Sequence, residues 1–286
     1  MVRVLIVLIV LTGLVWKIWS LPTGPRSVIP DYTTLSKENV CLGLNYHRVY
    51  SPNLWYKTVE ILTGAKELVL YNVYADEFAY QMKWLKDQGA FFANQQDLYE
   101  FRQGRAIPDK CVWISFDDGD HSIYHNAFPV LKQYNIPFTM YIITGHVGEV
   151  FQNFKLSPWE QLREMKQTGL ADFGGHTHDM HYLKDGQAVF LNEGYAEAFR
   201  MDLRKSKQMI KQELEADDTT IAYPFGGTSE TMTEIVQQEG LTQAFILSPN
   251  PITPYNSVFD TNRYLLDKEI FDLFVKPYIE QRNKKR

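Results

Sequence analysis

Two carboxylates side by side, Asp117 and Asp118, follow the apolar run Cys111–Phe116 and precede Gly119. Adjacent carboxylates repel, which raises one pKa unless a cation sits between them. A metal ion resolves the conflict: one Asp becomes a ligand and the other stays close as a base. Asp-Asp-Gly is also good turn chemistry, so the pair alone leaves a polar turn open. A second cluster, Gly174-Gly175-His176-Thr177-His178-Asp179-Met180-His181, holds three of the seven histidines. A lone His is commonly structural, whereas three in one polar loop point to metal ligation. An Asp with two His leaves a coordination position for water. His121 and His125, at i and i+4, also face one another on a helix. They rank second, because a helix starting just after Asp118 reaches back awkwardly to an ion that Asp118 holds. Two further segments end strands, Ala222-Tyr223-Pro224-Phe225-Gly226-Gly227 and Leu44-Asn45-Tyr46-His47. Alone, the first reads as a turn and the second as a structural His; their position beside the other two sites raises their standing.

The elements that must position these residues alternate. Strands are predicted at Cys41–Tyr46, Ala90–Ala93, Cys111–Phe116, Phe138–Thr144, Ala171–Gly175, Thr219–Tyr223 and Gln243–Leu247. Helical patterns separate most of them. Asp76 is expected to cap a helix with Phe78, Met82 and Leu85 on one face and Gly89 at its end. Ser157-Pro158-Trp159-Glu160 reads as a capping box with Pro at the first helical position, and Gly169 as the stop. Glu193–Glu215 and Ser229–Glu239 are two further helices, and Arg48 to Tyr74 reads as loop with some local helix. Such alternation predicts a parallel sheet covered by helices, and seven strands point to a barrel rather than a small open sheet. The carboxyl ends of its strands would then carry the active site.

Composition bounds the function. The 286 residues are 45% hydrophobic and 22% charged, a globular balance long enough to bury a full core. The net charge of −5, with both signs interspersed, lacks the clustered basic face of a nucleic-acid partner. Two isolated cysteines, Cys41 and Cys111, each within an apolar run, read as buried free thiols rather than a disulfide. Val4 to Trp16 is almost continuously apolar between Arg3 and Lys17. A signal peptide and a membrane anchor both fit; the absence of a small-x-small cleavage site favours the uncleaved anchor. The expected organisation is a signal or anchor at 1–20, a Pro- and Gly-containing linker at 21–39 and a catalytic domain at 40–286, exported to the outer membrane face or cell surface.

The four sites, in this order, resemble the polysaccharide deacetylase superfamily, carbohydrate esterase family four. Ser115-Phe116-Asp117-Asp118-Gly119 looks like its first motif, which implies Asp117 as catalytic base and Asp118 as metal ligand. The common His pair at i and i+4 fails here, since Met180 stands four residues after His176. The wider His-Thr-x-x-x-His spacing of the subgroup acting on poly-β-1,6-N-acetylglucosamine fits His176 and His181, and Asn45 to Val49 resembles its early Asn-Tyr-His-Arg-Val segment. No His follows His181, so a general acid must come from earlier in the chain; His47 suits the circularly permuted motif order of that subgroup. The resemblance covers about residues 40–270 and implies a distorted (β/α)7 barrel. It further implies one divalent ion (zinc, with nickel, cobalt or iron as alternatives) and a β-linked N-acetylglucosamine polymer as substrate; the expected oligomeric state is a monomer.

The family's Arg-x-Pro-Tyr motif departs here to Ala222 and Phe225. The Phe225 backbone N–H can still serve an oxyanion hole, with Tyr223 and Pro224 beside it. The missing Arg leaves Asp117 without its usual tether, and Arg263 is the candidate replacement. The implied chemistry is hydrolysis of an acetamide, with His47 protonating the departing amine. Three other readings compete: deacetylation of peptidoglycan or chitin oligomers, a non-catalytic glycan-binding surface protein, and a non-haem iron oxygenase using the same donor set. The last favours His-x-Asp spacing on a jelly roll, whereas His178 and Asp179 are adjacent and this chain alternates β and α.

Overall fold

The computed structural model describes residues 30, 31, 33, 35, 39–51, 71–217 and 219–284. The apolar N-terminal run and most of the expected linker lie outside the described residues. The chain enters through β1 (Cys41–Tyr46), β2 (Arg48–Tyr50) and β3 (Asn72–Tyr74), then α1 (Ala75–Asp87), β4 (Phe91–Ala93) and α2 (Gln95–Arg102). Next come β5 (Cys111–Phe116), a π-helical turn (Ile123–Ala127), α3 (Phe128–Tyr134) and β6 (Phe138–Ile142). A small hairpin, β7 (Val150–Phe151) and β8 (Phe154–Lys155), precedes α4 (Trp159–Gln167) and β9 (Ala171–Gly175). A second hairpin, β10 (Leu183–Lys184) and β11 (Gln187–Ala188), leads to α5 (Ala196–Leu214) and β12 (Thr220–Ala222). The last elements are α6 (Glu230–Gln238), β13 (Gln243–Phe245), β14 (Tyr264–Leu265), α7 (Lys268–Ile270) and α8 (Lys276–Asn283).

Eight strands form one parallel sheet in the order β13-β12-β9-β6-β5-β1-β14, with β4 beside the first half of β5. Central β1 and β5 are buried at every position, which is why their sequences are continuously apolar rather than alternating. The sheet curls into a half-barrel. Bridges from Phe245 to Thr261 and from Ser248 to Arg263 tie its β13 end to the segment entering β14. This is the (β/α) architecture the sequence predicts, with one strand more. β14 is two residues long, too short for any periodicity to announce it.

Local differences have local causes. Tyr74, not Asp76, occupies the N-cap of α1, and Asp76 lies in its first turn, accepting from the Glu77 N–H. Phe78, Met82 and Leu85 do face the core, and Gly89 ends the helix at φ +68°. Pro158 is the N-cap of α4 and no side chain caps it; the Ser157 hydroxyl instead donates to the Asp120 carbonyl. Within the expected Arg48–Tyr74 loop, β2 and β3 pair in parallel, and residues 52–70 lie outside the described set.

The cysteine expectation is overturned. Cys41 and Cys111 are bonded in a disulfide, and neither thiol is free. The reason is register: the two residues are direct partners on neighbouring strands β1 and β5, with Cα atoms 4.6 Å apart. Their 70-residue separation makes the cross-link a strong constraint on the unfolded chain. Replacing both by Ala is expected to lower the unfolding free energy by roughly 2–4 kcal/mol. Urea titration of the double variant measures this, and an unshifted midpoint would refute it.

Candidate active site

Each site residue sits where a strand runs out. The Asp117 N–H still donates to the Tyr46 carbonyl at 3.1 Å, as if β5 continued, and then the chain breaks. Asp118 takes φ +71° and Gly119 φ +90°, closing a tight turn in which the Gly119 N–H reaches back to the Asp117 carbonyl. Left-handed backbone is tolerated by Asp and natural for Gly. His47 follows β1, His176 follows β9, and Phe225 lies just past β12, so one end of the sheet gathers all four sequence motifs.

Asp118, His176 and His181 converge. The Asp118 Oδ1 atom lies 3.5 Å from His176 Nε2 and 3.3 Å from His181 Nε2, and all three side chains are buried. Burial opposes ionisation of Asp118, but the neighbouring His181, His47 and His176 outweigh it and hold the carboxyl well below the usual carboxylate range. Burial pushes the His176 imidazole down to about 4, against the raising effect of Asp117. His176 Nδ1 lies 2.7 Å from the Ala222 carbonyl, which must accept an N–H and so leaves the Nε2 lone pair facing Asp118.

The three donors fit a divalent ion. Asp118 Oδ1 is buried without a hydrogen-bond partner, aimed between two imidazole nitrogens. Two imidazole nitrogens with one carboxylate are a donor set that could hold such an ion and leave coordination positions open. Among the described residues this is the one Asp/His group whose atoms converge in this way. His121 and His125 meet edge to face with ring centroids 5.7 Å apart, His121 Nδ1 lies against the Lys155 carbonyl, and neither lines the cavity.

Asp117 is held differently. Arg263 donates from both terminal nitrogens to its two oxygens, at 2.6 and 2.8 Å. Both partners are at most 1% exposed. Burial raises the Asp117 carboxyl, yet Arg263, together with His176 and His47, more than offsets this and keeps it below its ordinary value. The Arg263 Nε donates to the Ile246 carbonyl at 3.3 Å, so the fork is fixed by the barrel seam itself. A bidentate pair of this kind is charge-assisted and geometrically specific.

A cavity of about 250 Å³ exposes this set; His47, Arg48, Asp117, Asp118, His176, His181 and Phe225 line it. The His47 ring packs on Tyr71 at 4.7 Å, and burial pushes its imidazole down against the pull of Asp118 and Asp117. Phe225 adopts φ +60° and lays its ring 4.8 Å from His181 at the rim. Tyr223 and Pro224 are not brought to the cavity. Both are buried, and the Tyr223 ring packs 6.5 Å from Phe190 in a separate core, so they act by setting the turn that presents Phe225.

Arg48, unassigned from sequence, pairs with Asp118 Oδ2 at 3.7 Å and lies 4.0 Å over the Phe154 ring. Its adjacency to His47 was the available signal. A larger cavity, about 470 Å³, lies at the opposite strand ends around Asp172 and Gln243 and has no convergent donor set.

Fold and donor set together define an α/β protein with a candidate divalent-metal site and a tethered carboxylate at the carboxyl ends of its parallel strands. Residues 104–244 match the polysaccharide deacetylase family. The chain is 36% identical over 241 residues to a Staphylococcus aureus protein named poly-beta-1,6-N-acetyl-D-glucosamine N-deacetylase, covering 84% of this chain and 83% of that one. A Staphylococcus epidermidis protein of the same name is 35% identical over 244 residues, covering 85% of this chain and 84% of that one. The solved structure of IcaB from Ammonifex degensii superposes with a TM-score of 0.75 at 31% identity, covering 85% of this chain and 98% of that one. The chain belongs to the polysaccharide deacetylase family and is a carbohydrate N-deacetylase.

Proposed function

We propose that this enzyme hydrolyses N-acetyl groups of poly-β-1,6-N-acetyl-D-glucosamine, releasing acetate, and that it does so outside the cell. One observation carries the reading: the Arg263-held Asp117, the Asp118–His176–His181 donor set and His47 share a single cavity. The names of the staphylococcal relatives support the substrate. Zinc is the ion that two neutral imidazoles and a carboxylate favour. A divalent ion bound there supplies Lewis acidity, polarising a carbonyl and lowering the pKa of water.

The protein's own groups do the rest. Asp117, ionised and fixed by Arg263, accepts a proton from the attacking water. The Phe225 N–H is assigned to the developing oxyanion, a donation that costs no rearrangement because the turn is preset. His47 gives a proton to the amide nitrogen as the C–N bond breaks, so the amine leaves neutral. Its depressed basicity makes it a willing donor once protonated. The products balance: acetamide and water yield acetate and an amine that, having left neutral, takes up the remaining proton as an ammonium. Removing His47 as Ala is expected to leave a folded, zinc-loaded protein whose turnover falls by about 10²-fold. Steady-state acetate assays with parallel zinc analysis read this, and wild-type turnover would remove His47 from the acid role.

Export rests on the Val4–Trp16 run, and the Cys41–Cys111 disulfide supports it, since such bonds persist in oxidising compartments. The deciding experiment measures acetate release from poly-β-1,6-N-acetyl-D-glucosamine, chitin oligomers and peptidoglycan side by side. The proposal expects the first to be preferred; preference for either of the others would replace the substrate assignment.

A further inference from the structure

We propose that Asp202 is a positioning residue for the metal site, clamping the loop that lets two histidines five residues apart meet at one ion. The inference rests on His176 and His181 being ligands. It begins with the backbone after His176. Thr177 takes φ +69°, a left-handed conformation that a β-branched residue rarely adopts, and its buried hydroxyl has no partner among the described residues. Such a conformation persists only where its surroundings over-determine it.

Those surroundings are two-sided. The next two amides, of His178 and Asp179, donate to different oxygens of the Asp202 carboxylate, at 2.6 and 2.7 Å. Asp202 lies on α5, which packs against β9, and its side chain is buried. On the other side, the end of β6 supplies the Thr144 and Gly145 N–H groups to the Thr177 and His178 carbonyls, at 3.2 and 2.9 Å. A Cβ on Gly145 would stand 2.4 Å from the His178 carbonyl oxygen, so only glycine allows this approach. The peptides between the two ligands are therefore fixed from both flanks.

The consequence is visible in the side chains. Met180, the residue four positions after His176, is turned into the core with Val189 and Phe190. His181 is turned into the cavity instead, its ring centroid 4.9 Å from that of His176. Asp202 does not line the cavity, so it touches neither substrate nor ion; it acts through the ligand loop.

The test uses the full-length protein stripped of metal, with zinc affinity measured by chelator competition and amide hydrogen exchange followed in the metal-free state. Asp202→Ala is expected to weaken zinc binding by about 10–100-fold and to speed exchange at His178 and Asp179. Asp202→Asn keeps one acceptor oxygen, so it should weaken zinc less and release one of the two amides; it carries the test if the Ala variant does not fold. Zinc binding as tight as wild type in the folded variants, even with a lowered melting temperature, would reduce Asp202 to a structural residue and overturn the proposal. Failure of the wild type itself to hold zinc would instead overturn the ligand assignment, and the exchange measurement would still show whether the clamp exists.

Discussion

Asp117→Asn is expected to lower acetate release by roughly 10²–10⁴-fold while zinc stays bound. The substitution keeps the shape of the side chain and removes its capacity to take a proton. The proposed ligands Asp118, His176 and His181 keep their donor atoms, and the Arg263 fork bonds to Asp117 rather than to any of them. Stability is not untouched: Arg263, wholly buried, loses the anion that compensates it. The assay therefore belongs well below the melting temperature of the variant, with zinc content and circular dichroism measured on the same sample. Near-wild-type turnover in a folded, zinc-loaded variant would show that another group accepts the proton.

Much of this was legible because strand ends concentrate chemistry. β1, β5 and β9 appear in the sequence at their observed bounds; β1 and β5, buried at every position, write themselves as largely apolar runs, and β9 ends at the Gly174-Gly175 pair before the histidine cluster. Knowing where those strands stop places Asp117, Asp118, His176 and His47 at one end without any distance in hand. Arg263 was reachable for a different reason. The Arg-x-Pro-Tyr departure left Asp117 without a cation, and the one found after β13 turns out to be wholly buried and bidentate on Asp117.

What stayed hidden depends on three-dimensional register. Cys41 and Cys111 are separated by 70 residues, and only the pairing of β1 with β5 puts them opposite each other. Asp202 is one acid on a long helix; nothing along the chain says that its carboxylate faces two amides of the histidine loop. Tyr223 misled because it belongs to the same segment as Phe225, yet successive residues around a turn point in unrelated directions, and the Tyr ring goes to the core. Arg48 lay beside His47, but adjacent strand residues ordinarily face opposite sides; His47 falls between β1 and β2, and that break brings both into the cavity.

Arg263→Gln is expected to destabilise the protein by roughly 3–5 kcal/mol, the cost of leaving a buried carboxylate without its partner. The same change should alter the pH dependence of catalysis, and the sign follows from the two opposing influences on Asp117. With Arg263 present, the folded carboxyl titrates below its unfolded value. The stabilisation of the pair is then present above the unfolded pKa and disappears as pH falls through the lower, folded one. Without Arg263 a lowering influence is lost and burial is opposed only by His176 and His47, so the carboxyl titrates higher than in the wild type. Asp117 then binds a proton at a higher pH than before, and a protonated base cannot accept another. The acid limb of the kcat profile should accordingly move to higher pH, while zinc affinity is expected to change little, because Arg263 hydrogen-bonds to none of the proposed ligands Asp118, His176 and His181. Arg263→Lys should fall between the two, since a single ammonium cannot span both oxygens as the guanidinium fork does. Denaturant titration and pH–rate profiles of both variants measure these effects. An acid limb superimposable on the wild type, in protein shown to be folded, would mean that Arg263 holds the barrel seam and does not tune the base.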